Sequence, residues 1–163
     1  MLLTLEHHQQ LLQARLRMQG DTTHHMEHVV ERSGVVWLNH SIATSFEMVA
    51  IALKDIPQNV VVILGGVDRF NEHHVFAPAF QGKVTGLVCL GSTRDRYFKA
   101  FGQVVPLIVS ANSLIEAVQL ANKMIMPNTQ CVLFAPGCPS YDAFDNYKNR
   151  GDEFKRVVKT ALL

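Results

Sequence analysis

Four short and nearly unbroken apolar runs punctuate the chain, at residues 60–64, 86–90, 106–109 and 130–134. Runs so continuous do not suit a sheet with one wet face, so they predict strands covered on both sides. The segments between them carry helix-start signals. Thr44 with Glu47, Ser92 with Asp95 and Ser113 with Glu116 each have the hydroxyl-to-acid spacing that satisfies free amides at a helix N-terminus. Strands that alternate with helices make crossover units, and hence a mainly parallel sheet between two helical layers. Two further helices are predicted after the last strand, over 141–147 and 152–162. In the second, Phe154, Val157, Val158 and Ala161 recur at helical spacing and should face the sheet.

The pattern differs before residue 44. Residues 27–31 and 35–39 flank Arg32-Ser33-Gly34, which predicts a hairpin with glycine at the position of positive φ. The expected fold is therefore α/β, a three-layer sandwich with an antiparallel hairpin at its N-terminal edge. Residues 5–18 read as a helix closed by Gly20, with only a partial apolar stripe. We expect residues 1–22 to be a helix and linker, the tail of a preceding domain, and residues 23–163 to be the α/β domain.

Composition narrows the function. The chain has 163 residues, enough for one core, with 48% hydrophobic and 18% charged residues and a formal net charge of +1. That balance argues against a basic nucleic-acid platform and against a disordered tail. Cys89 and Cys131 lie within apolar runs, and with Cys138 they make an odd number, which predicts reduced thiols and a cytoplasmic setting. The opening apolar stretch is too short for a secretory signal, and no run approaches membrane-spanning length, so no membrane partner is expected.

Open parallel sheets bind ligands at the carboxyl ends of their strands, where helix N-termini point free amides. Three strand-end segments are candidates. Residues 38–45 leave a strand and enter a helix at Thr44. Residues 63–69 turn on Gly65-Gly66 and bring Arg69 to the sheet edge. Residues 134–142 lead from a strand into a helix capped by Ser140. Two hydroxyl-bearing helix starts and one guanidinium suit a small molecule with two carboxylates, such as an amino dicarboxylic acid. Taken singly, the same features also read as plain caps, a glycine turn and a solvated arginine.

These segments resemble the C-terminal domain of the Mur ligases. The motifs are Asn-His-Ser-Ile-Ala-Thr-Ser from Asn39, Ile-Leu-Gly-Gly-Val-Asp-Arg from Ile63, and the long run Ala-Pro-Gly-Cys-Pro-Ser-Tyr-Asp-Ala-Phe-Asp-Asn-Tyr-Lys-Asn-Arg-Gly-Asp-Glu-Phe from Ala135. The similarity is greatest to the D-glutamate-adding branch. It implies a Rossmann-like fold and a role in peptidoglycan synthesis, as part of an ATP-dependent ligase joining D-glutamate to UDP-N-acetylmuramoyl-L-alanine. It also implies that Thr44, Arg69, Ser140, Tyr141 and Tyr147 stand where the family holds D-glutamate. ATP and Mg would belong to a central ATPase domain of a full-length parent, the partner of this one. No Gly-x-x-x-x-Gly-Lys-Ser/Thr phosphate loop occurs here, so the chain alone is expected to be inactive.

The first motif departs from the family. Where the family reads Asn-Asp-Ser-Lys-Ala-Thr-Asn with a His-Arg pair upstream, this chain has His40 for the acid, Ile42 for the lysine and His25 for the arginine. These nucleotide-facing positions are degenerate, because neither imidazole nor an alkyl chain neutralises phosphate as the replaced residues do. A second reading is therefore a non-catalytic, divergent Mur-like module that binds a small acidic ligand or a protein partner. A phospho-receiver is disfavoured, since only Asp68 stands at a strand end where an acidic cluster would hold a cation. A metal site among His24, His25, His28, His73 and His74 is not expected, nor is a nucleophile at Cys138 or Ser140, because no histidine is placed to activate either.

Overall fold

The computed structural model describes residues 23–141 and 144–162. The hairpin opens the domain, with β1 (Glu27–Arg32) antiparallel to β2 (Val35–Asn39). Its two-residue turn places both Ser33 (φ 53°) and Gly34 (φ 79°) in the left-handed region, the twist that suits a tight hairpin. The remaining elements are α1 (Phe46–Lys54), β3 (Val60–Gly65), a short helix α2 (Ala77–Phe80), β4 (Val84–Leu90), α3 (Arg94–Phe101), β5 (Leu107–Ala111), α4 (Leu114–Lys123), β6 (Cys131–Phe134) and α5 (Tyr147–Ala161). The six strands form one sheet in the order β1-β2-β6-β3-β4-β5, all parallel except β1. This is the expected α/β architecture. The predicted helix over residues 5–18 lies outside the described residues.

Both faces of the sheet are covered, and each strand feeds them alternately because side chains in a strand point to opposite sides. Val36, Leu38, Val62, Leu64, Leu87 and Leu133 pack beneath α1, α2 and α3, with Phe46, Phe80 and Phe101. Val35, Trp37, Ile63, Val88, Val132 and Phe134 pack beneath α4 and α5, with Ala117, Phe154 and Val158. Trp37, Leu133 and Phe154 are fully buried, and truncating a side chain of that size to alanine costs about 3–5 kcal/mol.

Several element ends differ from expectation. Ser45, not Thr44, caps α1, its hydroxyl accepting from the Met48 N–H at 3.5 Å. Ser92 caps nothing, because Gly91–Thr93 form a 3-10 turn leading into α3, and Thr93 Oγ1 donates back to Leu90 O at 2.8 Å. Ser113 is the cap the sequence predicted, accepting from Glu116 N at 3.2 Å. The last helix begins earlier than the expected residue 152. Asn146 caps α5 through a 2.9 Å bond from Asn149 N, so the helix starts at Tyr147 rather than at residue 152. Among the described residues of the stretch 141–147, Tyr141 and residues 144–146 are not helical, and the Ser140 carbonyl accepts from Phe144 N at 3.0 Å.

Candidate functional site

The chain runs from β3 to β4 to β5 on one side of the sheet and then returns to place β6 on the other side of β3. Crossovers that diverge in this way leave a crevice at the carboxyl ends of β3 and β6. Gly65 (φ +102°) and Gly66 (φ +150°) turn the chain there, and a Cβ on Gly65 would lie 2.8 Å from both Leu90 O and Thr93 Oγ1. Only glycine permits that approach. The Gly65 N–H donates to Pro136 O at 2.8 Å, which ties the two strand-end loops together.

Beyond Gly66 the loop alternates between solvent and core. Val67, Arg69 and Phe70 are exposed, whereas Asp68 is buried. One oxygen of the Asp68 carboxylate accepts from Phe70 N at 2.9 Å, and the other receives Tyr97 Oη at 2.5 Å and His73 Nε2 at 2.8 Å. Burial pushes this carboxyl up, but the three bonds more than offset it and hold it below its ordinary range. Burial of its own ring first, and the bond to Asp68 second, drive the Tyr97 hydroxyl strongly up, so it stays protonated. Arg96 adds bonds to the carbonyls of Asp68 and Phe70. The loop that carries Arg69 is thus fixed from beneath.

Arg69 faces a hollow of about 420 Å3 lined also by Val67, Pro139 and Tyr141. Ser140 is buried between the two lining residues Pro139 and Tyr141. Arg69 and Tyr141 are therefore brought together from separate loops. Thr44 is exposed and does not line this hollow. Tyr147 is half-buried at the first turn of α5, edge-on to His24 with ring centroids 6.0 Å apart. A second cavity, of about 290 Å3, lies at the ends of β3 and β4, lined by residues that include Gly66, Ser92, Asn112, Phe144 and Arg150.

Sequence reasoning passed over Arg150, which is buried and forks into two loops. Its Nε donates to Ser41 Oγ (3.1 Å), one terminal nitrogen to Ser41 O (2.8 Å) and the other to Cys138 O (2.8 Å). The signal was present, since Arg150 shares the helical face of Phe154 and Val157, where a charge is out of pattern. The pairing of Asp68 with Tyr97 and His73 was also missed, and no local spacing announces it.

The degenerate positions cluster at the start of the domain. His40 is buried, its Nδ1 accepts from Met26 N at 3.0 Å, and its ring meets His25 edge-on at 6.3 Å. Burial first, and the charge of His25 second, push its pKa down to about 4, so the ring is neutral at neutral pH. Ile42 is half-buried, and its N–H donates to His24 O at 3.3 Å. Among the described residues no group of three or more His, Cys, Asp or Glu is placed to hold a metal ion, and no helix is long and apolar enough to cross a membrane.

No protein-family model matches the sequence. Among curated proteins, the UDP-N-acetylmuramoylalanine–D-glutamate ligase of Chlorobium phaeobacteroides is 38% identical over 135 residues, 83% of this chain and 29% of that protein. The same ligase from Christiangramia forsetii is 36% identical over 136 residues, 83% of this chain and 30% of that one. The chain thus spans about 30% of the length of the curated relatives it matches. Among solved structures, MurF from Acinetobacter baumannii superposes with a TM-score of 0.58 at 11% identity, covering 88% of this chain and 32% of that one. MurF ligase from Thermotoga maritima in complex with ADP gives 0.51 at 13% identity, covering 82% and 30%. These last two likenesses concern the fold.

A mainly parallel sheet with a crevice at its switch point superposes on part of these Mur ligase chains. The chain is similar in sequence, and alike in fold, to the Mur ligase family. Within it, the sequence relatives are the UDP-N-acetylmuramoylalanine–D-glutamate ligases.

Proposed function

We propose that this chain is the amino-acid-binding domain of an ATP-dependent ligase that adds D-glutamate to UDP-N-acetylmuramoyl-L-alanine in the cytoplasm. The observation that carries the reading is the shared hollow of Arg69 and Tyr141, flanked by Ser140. A guanidinium at the rim grips a carboxylate with two parallel bonds, and a phenol and a hydroxyl nearby suit the remaining polar atoms of an amino dicarboxylic acid. Held by its carboxylates, such a ligand keeps its amine free to attack an activated acyl group supplied by another domain. Thr44 and Tyr147, which lie outside the lining of the hollow, complete the proposed set.

The residues present here do not fit ATP or Mg. The acceptor nitrogen of His40 is committed to the Met26 amide, and Ile42 offers no donor. The nucleotide and its metal belong to the central domain of the parent, and the isolated chain has no activity of its own.

NMR titration of the chain with D-glutamate, L-glutamate and meso-diaminopimelate tests the reading. Shifts for D-glutamate should centre on Arg69 and Ser140 to Tyr147, and Arg69→Ala should weaken binding about tenfold or more, as expected for loss of a charge-assisted pair. Equal response to all three ligands, or indifference to Arg69→Ala, would overturn it. His40 favours a second reading, a module that keeps the amino-acid site without catalysis. ATP-dependent D-glutamate addition by the full-length parent would exclude that alternative.

A further inference from the structure

We propose that Arg150 is a positioning residue: it locks the 40–45 loop, the 135–141 loop and the first turn of α5 into one frame, and so sets the geometry of the acid-binding rim. The inference deepens the proposed function and rests on it.

A guanidinium that is only 4% exposed is costly unless its donors are used. Here three bonds go to two irregular segments, two to backbone carbonyls and one to a hydroxyl. The Ser41 bonds hold the β2–α1 loop through both its carbonyl and its hydroxyl, and the Cys138 carbonyl bond holds the loop after β6. Ser41 Oγ extends the frame, because it accepts from Arg150 and donates to Tyr147 O at 2.7 Å. Every candidate ligand residue but Arg69 lies on one of these pieces: Thr44 three residues after Ser41, Ser140 and Tyr141 two and three residues after Cys138, and Tyr147 at the carbonyl itself. The loops also touch without help, through Gly137 N to Ala43 O at 2.8 Å. One backbone bond leaves rotation about it free, whereas a planar fork rooted in a 15-residue helix removes that freedom. A lysine, with one ammonium centre, cannot reach the three acceptors in that plane.

The test compares the chain with Arg150→Ala and Arg150→Lys by D-glutamate titration, scaled to the folded fraction from urea unfolding. Arg150→Ala should lose about tenfold or more in affinity, and Arg150→Lys should resemble it. The arginine lines the 290 Å3 cavity, so millimolar methylguanidinium can enter the space left by truncation and should restore binding to Arg150→Ala, but not to Arg69→Ala at the rim. A residue that served stability alone would lower the folded fraction without changing scaled affinity, and that result, or full affinity in Arg150→Lys, would overturn the proposal. If the unaltered chain does not bind D-glutamate, the proposed function fails by itself, and amide exchange decides the frame. The Ser41, Ala43 and Gly137 amides should then exchange about tenfold faster together in either variant while Val62 and Leu87 in the sheet stay protected. Unchanged loop exchange would remove the frame. If Arg150→Ala does not fold, Arg150→Lys carries both measurements.

Discussion

Tyr97 donates a 2.5 Å hydrogen bond to the carboxylate of Asp68, so an aromatic side chain of the third helix supports the loop that displays Arg69. His73 shares the same oxygen. An ionised carboxylate can only accept, so the proton lies on His73 Nε2. The exposed arginine of the candidate site therefore stands on a buried polar cluster rather than on a free loop.

Tyr97→Phe should cost about 1–3 kcal/mol, since it leaves a buried carboxylate short of a donor. The loss should be smaller in acid. The Asp68 pKa is lower in the folded chain than its ordinary 3.8, so its contribution is complete above that value and fades as pH falls through the folded pKa. Urea midpoints at pH 7 and pH 3 would show the narrowing, and a pH-independent gap would contradict it.

His40 should make stability depend on pH in a higher window. Its folded pKa is about 4 against 6.5 for an ordinary histidine. The unfolded chain therefore binds the extra proton between those values, and stability falls as pH drops from 6.5 to 4 and is fully present above 6.5. The span amounts to at most about 3 kcal/mol. His40→Gln should flatten that part of a stability profile measured by urea unfolding.

Gly151→Ala should destabilise, against the usual gain from removing glycine within a helix. A Cβ there would lie 2.2 Å from His24 Nδ1 and 2.9 Å from Asn39 Nδ2. That crowding costs about 1–3 kcal/mol, readable as a lowered thermal midpoint.

Ser45→Ala should cost about 1 kcal/mol, the worth of a helix cap, and leave ligand affinity unchanged. Thr44→Ala should do the reverse, because Thr44 is exposed and caps nothing. Paired unfolding and titration curves would separate the two neighbours, and a stability loss confined to Thr44→Ala would contradict the assignment of the cap.

Apolar continuity made the sheet legible, and it did so for a physical reason. Val60 to Leu64 are all buried, since a parallel strand between two helical layers has no wet side. The hairpin was equally clear, because Gly34 marks a turn that few residues can make. Element ends were harder to read. Thr44, Ser45, Ser140 and Asn146 are all able caps, and the choice among them depends on where the loops are pulled by distant partners such as Arg150 and Pro136. Strand-end logic named Arg69 and Ser140, and Tyr141 came from the family resemblance alone. The supports beneath Arg69 were not legible, since Asp68 and Tyr97 are 29 residues apart and nothing in their local sequence pairs them.

The place of β6 has a consequence for synthesis. Emerging after the other five strands, β6 fits between β2 and β3 and supplies every ladder bond that unites the two flanks of the sheet. A ribosome that has completed β5 has released a hairpin and a three-stranded fragment with a vacant slot between them. A chain cut before Cys131 would keep both fragments and lack the strand that joins them, so the domain cannot be shortened from its C-terminal end by degrees.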